Sequence, residues 1–194
     1  MVFSLRVPID TSHLTLLIAN GISLTLVGII LFCIWKQLWS LLLAMTLLGA
    51  FVEVIKPLFG NQGIFARPEG ATACGLFCIP ESMSVAGTPG FPSGHVTVAT
   101  FFAITMYFMY AMHVGRNKSS DVSQITDIID ISKQNESTYA PNIYNMIAMG
   151  SVIVYIILMG YSRWRKRCHN IPQILTGIVL GTVAAIGYRA MYLQ

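Results

Sequence analysis

Five long apolar runs divide the chain: Leu14–Trp35, Leu38–Leu58, Gly94–Val114, Ile143–Tyr161 and Ile171–Leu193. Each is close to the ~20 residues that a helix needs to cross a bilayer's hydrocarbon core. Within lipid such a run must be helical, because no other single segment satisfies its own backbone polar groups. Between the third and fourth runs, Gly115–Pro141 is the most polar stretch, carrying Asp121, Asp127, Asp130 and Glu136. It reads as an exposed loop with at most a helical turn around Ile125–Ile131. No internal repeat is visible.

Composition agrees with the pattern. Hydrophobic residues are 55% of 194 and charged residues only 10%, where a soluble chain carries about 25% charged. The fold expected is an all-α membrane protein, a single domain over residues 1–194 with about five transmembrane helices. The net charge of +4 is a mild surplus without a long basic block, which argues against nucleic acid as a partner. The first run is too long for a cleaved leader and has no basic segment before it, so it reads as a retained anchor. Cys33, Cys74, Cys78 and Cys168 lack metal-site spacing. Cys74 and Cys78 are either a local disulfide or two thiols.

Alternating helices place three regions on one face: the N-terminus, the loop Gly60–Pro92 and the turn Ser162–Asn170. The unusual polar residues gather there. Lys56 ends the second run and Arg67-Pro68 follows it. Pro92-Ser93-Gly94-His95 opens the third. Ser162-Arg163 ends the fourth, and His169 stands at the mouth of the fifth. Cationic side chains beside a helix N-terminus suit a phosphate, whose charge they and the first N–H groups of the helix can meet. One histidine can attack phosphorus while the other gives a proton to the leaving oxygen. No Asp/Glu/His cluster suggests a metal.

These three clusters, in this order, resemble the type 2 phosphatidic acid phosphatase (PAP2) superfamily, whose signature reads K-x6-RP, PSGH and SR-x5-H-x3-D. The resemblance runs from Lys56 to Gln173. It implies a PAP2-like helical bundle and a metal-independent lipid phosphate phosphatase needing no cofactor. By the same resemblance His169 would be the nucleophile that becomes a phosphohistidine, and His95 the general acid. Lys56, Arg67, Ser93, Gly94 and Arg163 would bind phosphate oxygens. Many membrane members have six spans, one more than is counted here.

Two positions depart from the family pattern. Lys56 precedes Arg67 by eleven positions rather than seven, and Gly60 stands where the family lysine would be. Four residues are about one helical turn, so Lys56 can extend toward the site or snorkel to the interface. The family aspartate is replaced by Gln173, which can accept the Nδ1–H of His169 but supplies no negative charge. Glu53 or Glu69 could serve as a substitute acid. The alternatives to a phosphatase are a weak or inactive PAP2-fold protein that binds lipid phosphate, and a phosphotransferase. Gly177 and Gly181 suit close helix packing within the bundle. Orientation in the membrane stays open, because the two faces carry similar numbers of Lys and Arg once the site residues are set aside.

Overall fold

The computed structural model describes residues 13–71, 87–125 and 143–193, with side chains from residue 19 onward and none over 115–125. Five helices carry the fold: α1 (His13–Trp35), α2 (Trp39–Ile55), α3 (Gly94–Ile125), α4 (Ile143–Arg165) and α5 (Ile171–Tyr192). Two short 3-10 turns, Lys56–Phe59 and Gly63–Phe65, follow α2. No strand occurs among the described residues; an isolated bridge pairs Ala66 with Pro89.

The five predicted runs are these five helices. Four of them are long and apolar enough to cross a membrane, and the described part of α1, Ala19–Trp35, is a shorter apolar helix. Their polarity is turned inside out relative to a soluble bundle. Leu31, Leu47, Val54, Ile147 and Val183 are exposed, while Ser23, Thr97, Thr100, Thr105 and Ser162 are fully buried. Lipid makes no demand for burying leucine, but it does penalise a hydroxyl without a partner.

One expectation fails. The predicted loop at Gly115 begins as helix, because α3 continues without a break to Ile125. Charge after Val114 marks where the apolar stretch ends, not where the helix must. No proline interrupts residues 115–125, and Arg, Asn, Lys, Ser and Gln are tolerated in a solvated helix. The remainder of that loop, the stretch around Cys74 and Cys78, and residues 1–12 lie outside the described residues.

Helix α3 is the hub, packed against α5, α4 and α2, with α1 lying along α4 and α2. The α3–α5 contact is close because Gly177 and Gly181 line it. A Cβ on Gly181 would stand 2.4 Å from the Thr97 carbonyl oxygen, and one on Gly177 would stand 2.9 Å from that of Ser93. The small-residue spacing therefore serves packing inside the bundle. At the end near the predicted site, Leu26, Val96, Ala99, Met159 and Ile174 form a core; Cys33, Leu41, Met45, Phe101, Ala185 and Tyr188 form another toward the far end.

Helices α1 and α4 end alike. Gln37 (φ 56°) and Arg167 (φ 57°) take the left-handed conformation. The next residue's N–H then reaches back five positions, from Leu38 to Cys33 and from Cys168 to Arg163. This termination satisfies the last carbonyls of a helix and turns the chain sharply. In α4 it sends the chain straight to His169 and the start of α5.

Candidate active site

The nucleophile candidate is fixed by its own helix. Asn170 caps α5: its side chain accepts from the Gln173 N–H (3.1 Å) and the Gln173 side chain receives the Asn170 N–H (3.3 Å), a reciprocal capping box. One turn of helix thus brings Gln173 under His169. The Gln173 Oε1 lies 3.0 Å from His169 Nδ1. Its Nε2 donates to the carbonyls of Ile64 and Ala66, each at 2.8 Å. Two carbonyl acceptors leave the amide a single sensible orientation, so Oε1 must face the ring and the ring must carry its proton on Nδ1. Nε2 is then the lone-pair nitrogen. Glu53, weighed as a substitute acid, is instead ion-paired with Lys56 three residues on, at the start of the 3-10 turn that follows α2.

The imidazole is 2% exposed. Burial, and then the positive charges of Arg163 and Arg67, push its pKa well below the usual histidine range, against a smaller opposite pull from the Gln173 hydrogen bond. His169 is neutral at physiological pH.

Around it the predicted residues converge. Arg163 is fully buried on α4, and its Nη1 donates to the Ser23 hydroxyl at 3.5 Å. Ser23 lies 2.7 Å from the Ser162 hydroxyl, which donates to the Ala19 carbonyl at 2.6 Å. Helix α1 is thereby tied to the arginine-bearing end of α4. Arg67 leaves the second 3-10 turn on a short extended segment, held by its N–H to Thr88 and its carbonyl to Gly87. The charges of Arg67 and Arg163 both reach Lys56, which is 6% exposed at the α2 terminus. The four residues added to the family spacing are absorbed by the 3-10 turn Lys56–Phe59 and the bend after it, and Lys56 stays at the site.

The N-terminus of α3 faces the same place. Ser93 donates its N–H to the Gln173 carbonyl (3.1 Å), which locks α3 to α5 at the nucleophile. A Cβ on Gly94 would lie 3.3 Å from Glu53 Oε1 and 3.8 Å from Lys56 Nζ, so glycine keeps open the space before the lysine. Among the described residues, Ser93 Oγ and His95 Nε2 are buried with no hydrogen-bond partner. Buried polar atoms in that state are rare and can be met by a water, an ion or a ligand. His95 is close enough to His169, Arg163 and Lys56 for their charges to act on it.

Two residues were missed by sequence reasoning. Ser23, in the uncharged first run, is fully buried against Arg163. Lys166, within the basic run Arg165–Arg167, is 9% exposed and its charge reaches His95. Their neighbours give no signal, since only the α4 terminus decides which basic residue turns inward. Glu69, the other acid weighed, is exposed and so does not share the buried site of His169. Cys168, directly before His169, is buried and disulfide-bonded.

No group of three or more potential metal-ligating residues occurs among the described residues. Among the described residues, the arrangement gathers four cationic side chains (Lys56, Arg67, Arg163 and Lys166), a helix N-terminus and two histidines, one of them neutral with a defined tautomer. Such a cluster can hold a tetrahedral anion and attack its central atom.

No curated protein and no solved structure matches the chain. The family model of the PAP2 superfamily matches residues 37–194, from the turn before α2 to the end of α5. With that match over most of its length, the chain belongs to the PAP2 superfamily, whose members are generally phosphatases.

Proposed function

We propose that this protein is a multi-pass membrane phosphatase that hydrolyses a lipid phosphate without metal, through a phosphohistidine on His169. Nε2 of His169 attacks phosphorus in line with the leaving oxygen. The N–P bond forms as the P–O bond breaks, and His95 gives its proton to the departing alkoxide. Water then cleaves the N–P bond, with His95 as base, and inorganic phosphate leaves. Lys56, Arg67 and Arg163 neutralise the phosphoryl oxygens throughout, with the N-terminal amides of α3 as donors.

Gln173 carries the proposal. A neutral imidazole whose Nδ1–H is held by an amide oxygen presents its lone pair to the cations, as a nucleophile for phosphorus must. A lipid fits better than a soluble ester, because the site opens among helices whose outward faces are apolar.

Purified protein in detergent, with chelator present, should release phosphate from at least one lipid phosphate. His169→Ala should lose the release by on the order of 10³-fold or more. Equal release by His169→Ala would sink the covalent mechanism. No release from any lipid phosphate by the unaltered protein would instead favour a PAP2-fold protein that binds phosphate without hydrolysing it.

A further inference from the structure

Glu53 is a carboxylate beside the proposed phosphate site, paired with Lys56, and the mechanism above does not use it. It sits on α2 within a helix long enough to span a membrane, where a charge is costly and calls for a function. Its side chain is 66% exposed, whereas that of its ion-pair partner Lys56 is 7% exposed. The lysine therefore points to the phosphate site and the carboxylate stands outside it.

What the carboxylate faces is a groove of about 130 Å³ between α1, α2 and α3. Leu26, Ile30, Met45 and Gly49 line its apolar length, and Glu53 and His95 stand at its polar end. If His95 protonates the leaving oxygen, the leaving group must start at His95, and this groove is where its tail can run. Its first atoms then pass Glu53.

We propose, resting on the phosphatase reading above, that Glu53 is a specificity-determining residue that reads the charge of the leaving group. An alcohol leaving group is neutral next to the carboxylate. The leaving group of a pyrophosphate is itself a phosphate, whose anionic oxygens would meet Glu53 in an apolar groove. The groove lining supplies no Lys or Arg to compensate them, and like charges repel strongly where water is scarce. Lys56 cannot fully cancel Glu53, because it is shared with the transferred phosphoryl group. The preferred substrates are therefore phosphomonoesters of uncharged lipid alcohols, with pyrophosphates of the same tail disfavoured.

A prenyl monophosphate and the pyrophosphate of the same prenyl tail, in the same detergent, isolate the effect. The unaltered protein should favour the monophosphate in kcat/KM by about tenfold or more. Glu53→Gln, which keeps the shape, should bring the ratio toward one, mainly by lowering KM for the pyrophosphate. Glu53→Asp should retain the preference, and melting curves establish that both variants are folded. Equal or better use of the pyrophosphate by the unaltered protein overturns the proposal, whatever the variants do. So does a Glu53→Gln effect that scales both substrates alike, which would mark Glu53 as a support for Lys56 only. Those failures leave phosphate release intact; no release from either prenyl substrate sinks this proposal, and the phosphatase reading falls with it only if no other lipid phosphate is hydrolysed either.

Discussion

The side-chain amide of Gln173 serves two neighbours at once, donating to the Ile64 and Ala66 carbonyls and accepting from His169. A carboxylate in its place would keep the second bond, but would turn an acceptor toward two carbonyl oxygens inside a fully buried site. An aspartate is also a methylene shorter. Two buried hydrogen bonds lost, with their acceptors left without partners, cost about 2–4 kcal/mol. Gln173→Asp should therefore lower the melting temperature in detergent rather than restore a family optimum, and an unchanged or raised midpoint would refute this account of the loop. His169 makes a second residue-level prediction. Its folded pKa is depressed by burial and by Arg163 and Arg67, so below the ordinary histidine value the unfolded chain binds the proton more readily. Stability from this group is complete above about pH 6.5 and is lost as pH falls below it. Melting midpoints should drop between about pH 7 and pH 5, and His169→Gln should flatten that slope.

Among the elements, α3 and α5 are the pair on which the proposed site depends, since the Ser93–Gln173 backbone bond joins the N-terminus of α3 to the helix start that orients His169. Gly181 lets them approach. Its Cβ would stand 2.4 Å from the Thr97 carbonyl and 3.1 Å from the Phe101 N, atoms of a helix backbone that cannot give way alone. Gly181→Ala should cost about 1–3 kcal/mol by overpacking, visible as a lower melting midpoint. The same change at Gly187, where a Cβ meets nothing, should not. The element pattern itself was legible in the sequence, because lipid forces an apolar run of span length to be helical. The end of α3 was not, because hydropathy reports the membrane boundary and is silent on a helix that continues past it. The inward turn of Lys166 was hidden for a related reason: it follows from a left-handed residue at Arg167, and nothing in an Arg-Lys-Arg run announces which position that will be.

At the scale of the whole molecule, three clusters far apart in sequence meet at one end of the bundle. That convergence was readable from alternating helices and ordered motifs. The support around it was not: the Ser23 link from α1 to Arg163, and the paired carbonyls of Ile64 and Ala66, arise from loop and helix-end geometry that no spacing encodes. The disulfide at Cys168, next to the nucleophile, carries a consequence for compartment. Such bonds persist where the environment is oxidising and are rare in the cytosol. The end of the bundle that holds His169 should then open to the lumen or the cell exterior, so that phosphate is liberated away from cytosolic metabolism. The far end of α3, where Asn117-Lys118-Ser119 has the N-x-S pattern of a glycosylation acceptor, would face the cytosol and escape glycosylation. In intact cells a C-terminal epitope should be reached by antibody only after permeabilisation, and endoglycosidase should leave the protein's mobility unchanged. An epitope exposed without permeabilisation would reverse the assignment and turn the site toward the cytosol.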